Sequence, residues 1–397
     1  MNAVFSAAPR PSWRAPCRIF WGLLVLVSIP ASRAIAQTGA ALEQQLDSIA
    51  GAGVRENRAV GIVAAVVKGN DELLLKAYGK AVVESDSAAT VDTVFQLNSD
   101  TKQFTAAAVL QLRDQGTLTL DDDITKRLPD FETQGNKVRL RHLLNHTSGI
   151  AELGGMQELR AMRVMRNPTA TRDDVYKVIT RCPFMFPTGA MEIYSNTNFW
   201  LLGLIIERAS GMTYADYVEK KVFEPLGMTR SMYCTNAEKV ARRASGYGMR
   251  SGRPILVPPI VYTGAQGSGA ICSTAEDVIT WLKALHGGKL LTPKSYAEMI
   301  KPAMLNDGTC LRYSMGLVVG EDANGSRFMG HGGGGFGFSS VTRWYPEAKL
   351  AVVVVTNSEP DEMTAVTERL AAAVLPAPWR VRPRGSRPGR SAEAVRS

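Results

Sequence analysis

Histidine and cysteine are scarce in this chain, with four and five residues among 397 and no Cys-x-x-Cys pair. That scarcity argues against a structural zinc site, and no metal or cofactor is expected. His142 and His146 lie one helical turn apart, but a third ligand and the glutamate of a zinc protease are missing, so both read as packing and loop-fixing residues. Asp121-Asp122-Asp123 lacks the spacing and the glycine of a calcium loop and reads as a solvated helix start.

Long apolar runs are also lacking. The apolar stretch at residues 19–31 is interrupted by Pro30 and is too short to span a bilayer. Arg10, Arg14 and Arg18 precede it, and Ala34-Ile35-Ala36 follows before Gln37, which is the order of a secretory signal. We therefore expect residues 1–36 to be removed and the protein to be exported, periplasmic or secreted in the bacterial manner; an uncleaved anchor is the alternative. Removal takes Cys17 and leaves Cys182, Cys234, Cys272 and Cys310, for which three disulfide connectivities exist. A Cys234–Cys272 pair is the favoured one, and buried thiols are the other reading.

A basic field over the body is missing as well, despite a formal charge of +9. Residues 1–36 hold Arg10, Arg14, Arg18 and Arg33 with no acid. Residues 376–397 hold Arg380, Arg382, Arg384, Arg387, Arg390 and Arg396 against Glu393 alone, so the two ends account for the whole excess. The body between them is neutral, which excludes a nucleic-acid partner. The tail at 377–397, with prolines among its arginines, reads as a disordered extension.

Patterning divides what remains. Residues 41–57 have helical periodicity, 60–67 and 73–78 read as strands across a Gly69-Asn70-Asp71 turn, and helical patterns dominate from Lys102 to about 265. A helix starting at Ser273-Thr274 reaches about His286, strands return at 326–331, 339–345 and 350–356, and a helix closes the domain at 362–374. The expected fold is α/β (α+β): an antiparallel sheet built from both chain ends and flanked by helices, with an inserted helical subdomain. The sheet subdomain comprises 37–98 and about 270–376 of a single domain at 37–376, and the helical subdomain about 99–269. The cleft between them is the natural ligand site.

Ser99 and Lys102 stand three apart where an extended run, 91–97, gives way to helical recurrence at Phe104, Ala108 and Leu112. Residues i and i+3 share a helix face, so a hydroxyl and an amine meet at an end rich in unpaired backbone N–H groups. A cap with an ordinary lysine behind it is one reading; an activated nucleophile is the other.

The stretch from Phe95 to Thr105 resembles the S-x-x-K element of the serine β-lactamase and penicillin-binding-protein superfamily. The nearest branch contains class C β-lactamases, D-alanyl-D-alanine carboxypeptidases, D-aminopeptidases and related esterases. LRHLLNHTSGI at 140–150, YSNTNFWLLGLIIE at 194–207, STAEDVITWLKAL at 273–285 and GHGGGGFGFSS at 330–340 follow in the family's order. The resemblance implies a β-lactamase/transpeptidase-like fold and a Ser99 nucleophile assisted by Lys102. It implies Tyr194 as a general base beside Lys102, with the Asn196 amide positioning lysine and substrate. His331 and Gly333 take the place of the K-T-G or H-x-G strand, and the N–H groups of Ser99 and Gly334 would hold the oxyanion.

Two departures are evident. Asp100 adjoins the nucleophile where a small or apolar residue is usual, with a charge that suits the helix dipole and would repel a substrate carboxylate. His331 replaces the lysine of class C β-lactamases, which tilts the expectation toward peptidase or esterase activity. The expected function is hydrolysis of a small-molecule or peptide amide, β-lactam or ester through an acyl-enzyme. A catalytically idle penicillin-binding-like protein that binds cell-wall peptides is the alternative.

Overall fold

The computed structural model describes residues 39–152, 167, 169–235, 242–359 and 362–376. The expected signal at 1–36 and tail at 377–397 lie outside the described residues.

The strands Gly61–Lys68 and Leu350–Thr356 are apolar at consecutive positions because both of their faces are covered. Val63, Ala65, Val67, Ala351, Val353 and Val355 enter the larger core, while Ile62, Ala64, Val66, Leu350, Val352 and Val354 enter a second core on the opposite face. Each enclosed valine or isoleucine is worth about 1.5–3 kcal/mol of burial. The two strands pair antiparallel, from Ile62 opposite Thr356 to Lys68 opposite Leu350. Both chain ends thus lie side by side in the middle of an eight-stranded sheet.

In sheet order the strands are Ser87–Ala88, Asp71–Val82, Gly61–Lys68, Leu350–Thr356, Phe338–Tyr345, Arg327–Gly335, Leu317–Glu321 and Tyr313–Ser314, every neighbouring pair antiparallel. This is the expected sheet built from the N- and C-terminal segments. The helices Gly39–Arg55 and Met363–Val374 cover one face through Leu46, Ile49, Ala50, Val366 and Leu370. Ala275–His286, whose N-terminus is capped by Thr274 accepting from the Asp277 N–H, covers the other.

Thr101–Asp114 is buried almost all round, and Phe104 stacks on Trp281 with ring centroids 4.0 Å apart. A helix enclosed in this way must be apolar or internally bonded on every face. Its N-terminal end follows a 3-10 turn at Asn98–Asp100 and meets the glycine-rich strand Arg327–Gly335. That junction carries Ser99.

Three features depart from the sequence reading. Only Phe95–Gln96 of the 91–97 run is a strand, in a small separate sheet with Ile271–Ser273 and Met232–Tyr233. The helical subdomain also contains a hairpin, Tyr247–Arg250 with Arg253–Leu256. Its turn residues Ser251 and Gly252 both have positive φ, 49° and 72°, the geometry that closes a two-residue hairpin. Finally, Tyr313–Ser314 and Leu317–Glu321 extend the sheet at one edge in strands too short to leave a periodic signal. A disulfide joins Cys234 to Cys272 with Cα atoms 5.4 Å apart, and Cys182 is buried. Among the described residues no helix is long and apolar enough to cross a membrane.

Candidate active site

Lys102 is fully enclosed, and its amine makes three contacts: Ser99 Oγ at 3.1 Å, Asn196 Oδ1 at 2.7 Å and the Ser268 carbonyl at 2.8 Å. Two of these partners are oxygens that only accept, so each claims one N–H of the amine. The remaining valence faces Ser99. In the ammonium form it donates to the hydroxyl; in the neutral form its lone pair is aimed at the hydroxyl proton. Burial lowers the Lys102 pKa to about 7, against the opposing pull of the Glu152 and Asp100 charges. A neutral amine is therefore populated at physiological pH, which is what a base for Ser99 requires.

Tyr194 lies across the amine, its ring centroid 4.7 Å from Lys102 Nζ. The residue keeps 41% of its surface exposed, while its hydroxyl is enclosed and hydrogen-bonded with Ser99. Desolvation of that end raises its pKa; a hydrogen bond with Ser99 opposes the rise, and Glu152 and Asp100 add to it. With two negative charges pushing the same way, Tyr194 at neutral pH is a phenol able to donate a proton. The general-base role that the resemblance implies calls for a phenolate, and this setting favours the phenol.

His331 stands on the strand Arg327–Gly335 but is buried, and its Nε2 meets the Tyr313 hydroxyl at 3.1 Å. Burial, with the Lys102 charge, lowers its pKa to about 3, so the ring is neutral near pH 7. His331 supports the Tyr194 wall, with ring centroids 6.2 Å apart. Gly333 shows why the strand is glycine-rich: a Cβ there would meet the Leu97 carbonyl at 2.0 Å and the Ser99 nitrogen at 2.9 Å. Gly334, beside it, lines the cleft.

Asp100 overturns its expected effect. The side chain is fully buried and turned away from the cleft, accepting from Thr342 Oγ1 at 3.0 Å, Gln103 Nε2 at 2.9 Å and the Ser340 hydroxyl. It ties the nucleophile turn to the strand Phe338–Tyr345, so it does not stand where it would repel a substrate carboxylate. The two histidines of HLLNHTSG have separate settings. His142 Nδ1 accepts the Arg139 N–H at 3.0 Å at a helix start. His146 Nδ1 accepts the Ser195 N–H at 3.2 Å, and its ring lies 4.4 Å from that of Tyr194.

The cleft over Ser99 has a volume of about 190 Å³ and is lined by Asn196, Ile260, Ala265, Gly334, Phe336 and Glu152, among others. Sequence reasoning passed over Glu152. It follows HTSG by three residues, with no periodicity to mark it, and its partners lie 44 residues further on. The Ser268 carbonyl left no side-chain signal at all.

The sheet shared by both chain ends and the cleft at its junction with the helices define the β-lactamase/transpeptidase-like fold. Residues 41–375 match the beta-lactamase family, and the chain belongs to it. Among similar proteins, Penicillin-binding protein 4* of Bacillus subtilis (strain 168) is 29% identical over 74% of this chain and 67% of its own length. Protein flp of Staphylococcus aureus (strain MRSA252) is 26% identical over 84% of this chain and 66% of its own. The chain thus spans about two thirds of the length of these curated relatives. Among solved structures, the D-amino acid amidase of Ochrobactrum anthropi SV3 superposes with a TM-score of 0.71 at 26% identity, covering 84% of this chain and 98% of that one.

Proposed function

We propose that this protein is an exported serine hydrolase that acts through a Ser99 acyl-enzyme on amide, β-lactam or ester carbonyls. The observation that carries the reading is the Lys102 amine, held by two acceptor oxygens so that its third valence faces Ser99 Oγ at 3.1 Å. In the proposed cycle, neutral Lys102 takes the hydroxyl proton as Ser99 Oγ bonds to the carbonyl carbon. The oxyanion is held by the N–H groups of Ser99 and Gly334. The tetrahedral intermediate collapses when the leaving nitrogen or oxygen receives a proton from the Tyr194 phenol, which Lys102 reprotonates. Water then attacks the acyl-enzyme as its proton passes to Lys102, which returns that proton to Ser99 Oγ as the ester bond breaks, so that Ser99 leaves as the hydroxyl and Lys102 is neutral again.

Kinship to a D-amino acid amidase and to penicillin-binding proteins supports amides and peptides as the first substrates to examine. The purified domain should turn over at least one of a nitrophenyl butyrate, a D-phenylalanine amide and a chromogenic cephalosporin. A fluorophosphonate should leave a single adduct on Ser99. Binding of all three without turnover would instead support the idle penicillin-binding-like reading. Export rests on the residue order at 1–36, and sequencing of the mature N-terminus should begin at Gln37.

A further inference from the structure

The amide of Asn196 has two orientations, and only one of them serves Lys102. With Oδ1 toward the amine, Asn196 takes an N–H and leaves the lysine lone pair for Ser99. With Nδ2 toward the amine, Asn196 becomes a donor and competes with Ser99 for that lone pair. The choice depends on what lies at the other end of the amide.

That group is Glu152. Its Oε1 accepts from Asn196 Nδ2 at 3.1 Å, while Oε2 accepts from the backbone N–H of Asn196 and, at 3.4 Å, of Thr197. An ionised carboxylate accepts only, so a reversed amide would set Asn196 Oδ1 against a negatively charged oxygen with no proton between them. The two backbone contacts belong to the start of the helix Asn196–Ser210, where a carboxylate is also favoured by the helix dipole. Helix and amide are thereby fixed by one side chain.

We propose that Glu152 is a positioning residue of this hydrolase: by accepting the Asn196 side-chain N–H it turns the Asn196 oxygen onto Lys102 and aims the amine at Ser99. The inference rests on the reading of Lys102 as the base for Ser99. The relay runs Glu152, Asn196, Lys102, Ser99, and it joins residues from three separate stretches of sequence. Glutamine at 152 would have one acceptor oxygen for the three N–H groups that Glu152 now serves, and its own amide would favour the reversed Asn196.

The groups facing Lys102 are Asp100 beside the nucleophile, Glu152, the Tyr194 phenol, and the buried rings of His146 and His331. Of these, Glu152 and Asp100 bring negative charge that favours the ammonium. Removing the charge of Glu152 therefore moves the pH at which the amine becomes neutral downward. A reversed Asn196, donating to the amine, moves it the same way.

The test is a double-mutant cycle on the full mature chain, with Glu152→Gln, Asn196→Ala and the double variant, measured as kcat/KM for an ester from pH 5 to 10. Wild-type turnover and its Ser99 fluorophosphonate adduct are measured first; loss of both there defeats the hydrolase reading itself. With an active wild type, Glu152→Gln should lower kcat/KM by about 10- to 100-fold and shift the ascending limb to lower pH. In the Asn196→Ala background the same change should cost less than about twofold.

A side chain that only caps the helix would lower activity equally in both backgrounds, whatever its charge does to the limb. An unchanged limb in Glu152→Gln, or a loss that keeps more than half its logarithmic size in the Asn196→Ala background, overturns the proposal. If Glu152→Gln does not fold, Glu152→Ala takes its place in the same cycle with the same two readings.

Discussion

Val353 and Lys102 are both fully enclosed, one in the middle of the sheet and the other under the cleft, and opposite chemistry holds them there. Val353 packs into the larger apolar core, paired with Ala65 on one side and Thr342 on the other, and the site would accept an apolar side chain of similar shape at modest cost. Around Lys102 the neighbours are a hydroxyl, an amide oxygen and a backbone carbonyl, each at hydrogen-bond distance. The sheet gains stability from what it buries. The cleft gives some up, because an enclosed amine is desolvated, and holds in exchange an amine whose pKa is lowered to about 7. Stability and activity should therefore separate cleanly between the two regions.

The largest separation is expected in Lys102→Met, which fills the same space without the amine. Its kcat/KM on an ester should fall by about 10³-fold or more, while its thermal midpoint should equal or exceed that of the wild type, since an apolar isostere replaces a buried polar group. Calorimetry beside steady-state kinetics checks both halves. A fall in midpoint together with activity would place Lys102 among the structural residues, and the contrast would be lost.

Tyr194→Phe comes next. The ring keeps its place against His146 and Tyr313, at centroid distances of 4.4 and 6.3 Å, while the proton donor disappears. Turnover should drop by about 10²-fold, and more for an amide than for a nitrophenyl ester, because the amine leaving group needs the proton and a nitrophenolate does not. Equal losses on both substrates would take Tyr194 out of leaving-group protonation.

The smallest effect on rate belongs to the sheet. Leu350→Ala, in the second core, should cost about 2–5 kcal/mol of stability in denaturant unfolding. The protein that remains folded should keep kcat within about twofold. A large change in kcat at full folding would mean that sheet and cleft are coupled after all.

The same contrast explains what the sequence disclosed. Alternating and continuous apolar runs at 60–67 and 350–356 announce two-sided burial, and the paired ends of the sheet follow from them. Ser99 and Lys102 were legible because a helix brings i and i+3 together without outside help. Glu152 was not, since its place depends on the loop after HTSG meeting the start of a helix 44 residues later. His331 and Asp100 were found as residues but misplaced in effect: a histidine on a glycine-rich strand and an acid beside a nucleophile suggest the cleft, whereas packing against Tyr313 and Thr342 turns both inward. Burial of a polar side chain is a tertiary property, and local pattern does not encode it.

The proposed chemistry requires Lys102 to lose its proton near neutrality while it faces Ser99. The most direct measurement is the rate of Ser99 acylation by a fluorophosphonate across pH 5 to 10, followed by intact mass in single-turnover conditions, for the wild type and for His331→Gln. The ammonium cannot take the serine proton and the amine can, so the rate should rise with pH through about 7 and then level off. The limb should survive in His331→Gln, because the buried histidine is already neutral throughout that range. A rate that climbs only above pH 9, as for an ordinary lysine, or a limb that vanishes with His331, would contradict the assignment of Lys102 as the base.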